Sequence, residues 1–246
     1  MSQHIKNELF RRRYSVVGNH TGRPEPALYF GGIVLDFNPW HNLPHDTYEK
    51  HMGHDDVRQL QTLSLIFKEQ LELVADLPKP IIAILGITGG NGLENVVQGR
   101  YKRIIGIDIN AEYLNICRER YGYLPELELY RIDLMTDKDR AVEVLSDTDM
   151  VSANLVVRHI HLDNFMDIAG RLKKPIISVT IQLDFGGQAV SHSGYEAAFA
   201  EIGLIRQECG EDDLTAAMHD AGYSQFGRAE YNMPNGKMLL RLDYKR

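Results

Sequence analysis

The chain has 246 residues, 43% hydrophobic and 25% charged, enough for one large domain or one domain with a cap. A net charge of −7 argues against a nucleic-acid partner. The two cysteines, Cys117 and Cys209, lie far apart with no Cys-x-x-Cys spacing, which argues against a disulfide frame and a cysteine-based zinc site. The polar start MSQHIKNELFRRRY does not read as a signal peptide, and no apolar run approaches the ~20 residues of a membrane span. A cytoplasmic protein with no membrane partner is expected.

Met1 to Asp46 holds Gly31-Gly32 and four prolines around a short apolar patch, Ile33 to Phe37, and is expected to be mostly irregular. The basic run Arg11 to Arg13 reads as a solvated patch. Asp55 or Asp56 then caps a helix whose apolar residues recur from Val57 through Leu60, Leu63, Ile66, Phe67 and Leu71 to Val74. Pro78 and Pro80 stop it. Ile81 to Leu85 is an apolar run suited to a strand buried on both faces. A glycine turn follows (Gly86, Gly89, Gly90, Gly92), then a helix predicted over Leu93 to Gln98, then a second strand, Ile104 to Ile107, ending at Asp108. The alternation continues with a helix from Ala111 to Tyr121, a strand from Leu127 to Ile132, a helix from Asp137 to Leu145 and a strand from Met150 to Val157. A helix from Leu162 to Leu172 and a strand from Ile176 to Ile181 complete it, and imply a parallel sheet with helices on both faces. Ser191 to Glu208 reads as an insertion with one helix, Tyr195 to Ile202. Asp212 or Asp213 caps a helix from Leu214 to Ala221, and Asn235-Gly236 joins two strand-like runs, Ser224 to Tyr231 and Lys237 to Tyr244, as an antiparallel hairpin.

Strand, glycine turn, helix, strand and acidic residue form the first unit of a nucleotide-binding sheet. The turn has three readings. Gly86-x-x-Gly89-x-x-Gly92 fits a dinucleotide fingerprint, Gly86-x-Thr88-x-Gly90 fits the looser loop that holds S-adenosylmethionine, and a tight turn with no ligand is the third. A P-loop is excluded, because no Gly-Lys-Ser/Thr follows.

From Pro80 to Tyr244 the chain resembles the class I S-adenosylmethionine-dependent methyltransferases. The resemblance is carried by ILGITGGNG after the first strand, GIDIN after the second, AEYLNICRERY, Asp133 in YRIDLM, ANLVVRHIHLDNF, and a helix ending Ala-Gly-Tyr before a terminal hairpin. It implies an α/β fold: a Rossmann-like, seven-stranded, mostly parallel sheet with a C-terminal antiparallel hairpin and an N-terminal helical cap. The implied division is a cap at 1–79 and an S-adenosylmethionine-binding domain at 80–246. It also implies cofactor contacts from Gly86, Ile87, Thr88, Gly90, Asn91, Asp108, Ile109, Asp133, Leu134, Asn154 and Leu155. In that reading Asp108 holds the ribose hydroxyls, Asp133 and Leu134 border the adenine, and Asn154 and Leu155 flank the reaction centre. The chain departs from the family at Ile84, where an acidic residue is usual, and at Thr88, which replaces the middle glycine. After Asn154 come Leu155 and Val156, not the Pro-Pro-Tyr of the base and glutamine amino methyltransferases, which argues against methylation of nucleic-acid amino groups.

Methyl transfer from a sulfonium is an in-line displacement that rests mainly on alignment. A base helps when the acceptor is a hydroxyl or protonated amine, and the candidates are His51, His159 and His161. Tyr48 and Trp40 could wall the cofactor or acceptor, with His51 beside them, since a sulfonium is drawn to ring faces. His51-x-x-His54 beside Asp55 and Asp56 lacks a further ligand pair, so no metal is expected. The expected function is methyl transfer from S-adenosylmethionine to a small molecule. The alternatives are an NAD(P)-binding oxidoreductase of atypical short-chain dehydrogenase type and a non-catalytic S-adenosylmethionine-binding protein. Against the oxidoreductase, no tyrosine has a lysine four residues later.

Overall fold

Ile81–Leu85 (β3) is the strand around which the sheet is laid, and all five of its residues are buried. The computed structural model describes residues 28–30, 33–35, 38–173, 175–184, 193–234 and 236–246. The chain divides into two compact units, Met1–Asn42 and Leu43–Arg246. In the first, Leu28–Phe30 (β1) and Ile33–Leu35 (β2) pair antiparallel, where an irregular segment is expected from the sequence. The basic run at 11–13 lies outside the described residues. Residues 43–79 of the expected cap belong to the second unit, with the sheet.

The sheet of the second unit has seven strands: β3, Arg103–Asp108 (β4), Leu127–Arg131 (β5), Met150–Asn154 (β6), Ile176–Leu183 (β7), Ser224–Asn232 (β8) and Met238–Lys245 (β9). Their order is β5-β4-β3-β6-β7-β9-β8. The five from β3 to β7 run parallel, and β9 pairs antiparallel with β7 and with β8, as the hairpin predicts. The chain builds outward from β3 through β4 to β5, then returns to lay β6 on the other side of β3. The carboxyl ends of β3 and β6 therefore border the topological switch point, where open α/β sheets bind ligands.

Two-residue periodicity sorts the core onto two faces. Ile81, Ala83 and Leu85 pack with residues of Lys138–Leu145 (α4), Leu162–Arg171 (α6) and Glu211–Asp220 (α8). Ile82 and Ile84 pack with Phe67 and Leu71 of Gln59–Glu72 (α2) and with Leu114 and Cys117 of Ala111–Tyr121 (α3). The remaining helices are His45–Met52 (α1), Val157–Ile160 (α5) and Ala200–Ile205 (α7).

Several local expectations are corrected. No α-helix follows β3: Leu93–Asn95 is a single 3-10 turn, and Val96 is already extended. Leu93 packs against Phe67 of α2, so the helix that precedes β3 covers the face on which the predicted helix would have lain. Neither Asp55 nor Asp56 caps α2. Arg58 does, in left-handed backbone and without a side-chain bond. Strand β6 ends at Asn154, and Val157 already opens α5. The predicted helix at Tyr195 is a 3-10 turn, Glu196–Phe199, running into α7. Asp212 and Asp213 lie in the first turn of α8, which Gly210 caps.

Candidate functional site

The glycine loop is held from below by one carboxylate. Asp108, the last residue of β4, accepts the Thr88 N–H at 2.9 Å through Oδ2 and the Asn110 N–H at 2.9 Å through Oδ1. The Asn110 side chain then accepts the Glu112 N–H to cap α3 and donates to the Leu43 carbonyl. The loop, the strand tip and the helix start are thus locked by main-chain N–H groups. Asp108 is 7% exposed, and burial pushes its pKa up to about 6 against the pull of those N–H bonds.

Thr88 has φ +52°, a left-handed conformation that is rare for a β-branched residue. Its N–H bond to Asp108 and a side-chain bond to Tyr48 hold it there. The main chain at Gly89 is approached so closely by the His45 ring that a Cβ would strike Nε2. Gly90, at φ +90°, faces Tyr121, and Asn91 donates its amide to the Leu60 carbonyl, so both serve the packing of the loop. Gly86 and Ile87 direct their N–H groups to the Ile107 carbonyl, tying the loop to β4.

Helix α1 lies over this loop. His45 stands edge-on to Tyr113 at 5.3 Å and Tyr48 lies 5.5 Å from the same ring. Tyr48, 7% exposed, has its pKa raised by burial first and by Asp108 second. Tyr113 is 1% exposed, and its hydroxyl finds no partner among the described residues. A buried hydroxyl without a partner costs about 1–3 kcal/mol, so such a group beside a buried carboxylate suits a polar ligand at the loop. This donor and acceptor set, with the left-handed loop, fits a nucleoside. The helix dipole expected from Leu93 to Gln98 does not contribute, because no α-helix stands there.

The other expected cofactor residues occupy the same rim. Ile109 follows Asp108, and its carbonyl accepts from Arg131. Asp133 is half-buried and accepts the Met135 N–H, while Leu134 is buried. Leu155 has φ +61° and donates its N–H to the Thr180 carbonyl. The Asn154 side chain is committed beneath α2: it exchanges bonds with Gln70 and accepts from Thr180 Oγ1. Gln70 is fully buried and also bonds Ser152 and Ser178, and Ser178 donates to Asp243. Nothing in the local sequence announces this network, because its members come from four separate elements.

The candidate bases separate. His51, 3% exposed, shares a 2.5 Å hydrogen bond with Ser193 Oγ through Nδ1, and its ring lies 4.3 Å from that of Phe199. Burial lowers its pKa, so it is a neutral imidazole at neutral pH. His161 donates Nε2–H to the Ile205 carbonyl at 3.0 Å and holds α5 to the end of α7. Burial first, then the Arg158 and Arg206 charges, push His159 down to about 3. Trp40 belongs to the first unit, where its main-chain N–H donates to Asn38 Oδ1. Among the described residues no group of three or more His, Cys, Asp or Glu could hold a metal ion, and no helix is long and apolar enough to cross a membrane.

No family model and no curated protein matches the sequence. Solved structures do match. Magnesium protoporphyrin IX methyltransferase from Synechocystis PCC 6803, with bound SAH, is 13% identical, superposes with a TM-score of 0.62, and is covered over 95% of its length by 84% of this chain. The cyclopropane synthase MmaA2 from Mycobacterium tuberculosis is 10% identical with a TM-score of 0.59, the match covering 85% of this chain and 96% of that one. The CurJ carbon methyltransferase is 12% identical with a TM-score of 0.58, over 85% of this chain and 61% of that one. The seven-stranded sheet with its closing hairpin is therefore the fold of the class I S-adenosylmethionine-dependent methyltransferases.

Proposed function

We propose that the protein transfers a methyl group from S-adenosylmethionine to a small-molecule acceptor. The observation that carries the reading is Asp108, a buried carboxylate at the tip of β4 bonded to the glycine-loop main chain, in a fold that similar proteins share. One structure in that set carries SAH and another SAM. Asp108 would receive the ribose hydroxyls, with Tyr113 as a nearby donor. Gly86, Ile87 and Thr88 would border the amino-acid end. Ile109, Asp133 and Leu134 would flank the adenine, and the backbone at Asn154 and Leu155 the reaction centre. Bound, the cofactor supplies an electrophilic methyl group on a sulfonium that leaves as a neutral thioether.

The chain's own residues do the rest. Tyr48 and His45 cover the loop from α1 and exclude water. His51, neutral and buried, takes the proton from an acceptor hydroxyl or ammonium, a role that suits it better than His159, whose basicity is too low at neutral pH. Residues 43–79 act as the cap.

Calorimetric titration tests the reading. S-adenosylhomocysteine should bind and NADH should not, and Asp108→Ala should weaken binding at least about tenfold, the loss of one charged hydrogen bond. Tight NADH binding with no S-adenosylhomocysteine binding at about millimolar concentration sinks it. His51→Gln should keep S-adenosylhomocysteine binding and lose turnover.

A further inference from the structure

Helix α1 grips the glycine loop at two consecutive residues. The Tyr48 hydroxyl shares a hydrogen bond with the Thr88 side chain. The His45 ring lies so close to Gly89 that a Cβ there would strike Nε2, and Arg120 Nη1 of α3 would stand 3.1 Å from the same Cβ. His45 and Tyr48 lie one turn apart in α1, so they share a face of the helix. Both are buried, and both rings pack on Tyr113 of α3. The helix is itself tied down from the α3 side. Asn110 donates to the Leu43 carbonyl at 3.1 Å, Glu112 accepts the His45 N–H at 3.4 Å, and Arg120 Nη2 reaches Glu49 Oε2 at 2.9 Å.

The grip falls where the backbone needs it. Gly86 and Gly90 take φ +67° and +90°, which glycine does without strain. Between them Thr88 takes φ +52°, which a β-branched residue does only when its surroundings hold it there. Asp108 fixes the Thr88 N–H at 2.9 Å, and Tyr48 fixes the Thr88 side chain. The residue is thus clamped from a strand tip and from a helix that lies outside the sheet. Threonine at this position gives up the freedom of a glycine and offers a hydroxyl to α1 instead.

We propose that Tyr48 is a positioning residue for the cofactor: through Thr88 it holds the glycine loop in the shape that receives the ligand, with His45 set against Gly89, so that cofactor affinity depends on the docking of α1. The inference rests on the methyltransferase reading. A loop with glycine at position 88 would keep this backbone unaided, whereas here a helix from the cap decides it. His51 lies one turn further along the same helix, so the element that sets the cofactor loop also carries the proposed base.

Calorimetric titration with S-adenosylhomocysteine tests this on the full-length protein, as wild type, Tyr48→Phe, Thr88→Gly and the double variant. Absence of binding to the wild type strikes the methyltransferase reading and the inference with it, whereas its presence isolates the inference. Tyr48→Phe should weaken binding about fivefold, as the loss of one net hydrogen bond requires. In the Thr88→Gly background the same change should alter affinity less than about twofold, because glycine needs no clamp. If Tyr48 served only the packing of α1, it would weaken both backgrounds alike. Equal weakening in the two backgrounds, or none in the wild type, overturns the proposal. Should Thr88→Gly fail to fold, Thr88→Val decides, since it keeps the branched side chain and removes the hydroxyl. It should weaken binding as Tyr48→Phe does, and the two together no further; losses that add overturn the proposal.

Discussion

On one side of the switch point, after β3 and β4, a single buried carboxylate is held by main-chain N–H groups: Thr88, twenty residues before it on the neighbouring strand's loop, and Asn110, two residues after it, on Asp108. On the other side, after β6 and β7, the rim is held by side chains from far along the chain: Arg158, Asp184, Arg206, Glu208 and Lys237. The first arrangement is made from main chain and is geometric, and needs glycines and left-handed backbone. The second is long-range and electrostatic, and any of several sequences could build it. A rim made from main chain suits a part of the ligand that does not vary. A rim made from side-chain charges can be retuned by single substitutions, which suits the part that does.

Substitutions break or sharpen this contrast. The largest effect is expected at Arg158. Arg158→Ala leaves Asp184, among the described residues, with Arg206, Gln182 and the more distant Lys237, and should cost about 3 kcal/mol, the low end for breaking a buried pair. Urea unfolding measures it, and a loss under about 1 kcal/mol would mean the cluster is no tighter than a surface network.

Asp108 comes next, with a dependence on pH that the ion-pair side does not share. Its folded pKa of about 6 lies above the ordinary aspartate value of 3.8, so the folded protein holds this proton more tightly than the unfolded chain does. The stability it contributes is full below about pH 4 and is lost as pH rises through about 6. Ligand hydroxyls need the carboxylate, so S-adenosylhomocysteine affinity should run the other way, rising between about pH 5 and 7 and then levelling. Asp108→Asn should flatten the rise. A wild-type affinity independent of pH over that range would place the ribose elsewhere.

Gln70→Leu probes the network under α2. It removes bonds to Ser152, Ser178 and Asn154 in the core and should cost about 1–3 kcal/mol in thermal unfolding, with a smaller effect on ligand affinity. An unchanged melting temperature would show that the three partners find each other without it. The smallest effect belongs to Arg120→Gln. Arg120 pairs with Glu49 to tie α1 to α3, but the two side chains are 44% and 34% exposed. The expected loss is about 0.2–1 kcal/mol. A larger one would make this pair, and not the buried rings, the anchor of α1.

Much of the sheet was legible from residues. Ile81 to Leu85 and Ile104 to Ile107 read as buried strands because they are apolar runs, Ile176 to Ile181 because it is mostly apolar and β-branched, and the hairpin read from Asn235-Gly236 between two strand-like runs. The helix over Leu93 to Gln98 misread for a physical reason. Its residues allow a helix, but Phe67 and Leu71 of α2 already cover that face of β3 and β4, and tertiary packing decided against propensity. Asp108 was legible as a strand-tip carboxylate. The bond from Tyr48 to Thr88 was not, since the two are joined only by the fold.

By itself, then, the sequence determined what repeats or is local: the alternation of strands and helices, the glycine loop, the acidic strand tip, the closing hairpin. These follow from periodicity and backbone sterics, which act over a few residues. The tertiary structure decided which distant groups meet: His51 with Ser193 and Phe199, Gln70 with Asn154, and Lys237 with Asp184 and Arg158 with Glu208. Burial and Coulomb forces depend on distance in space and on local dielectric, neither of which is written in the order of residues along the chain.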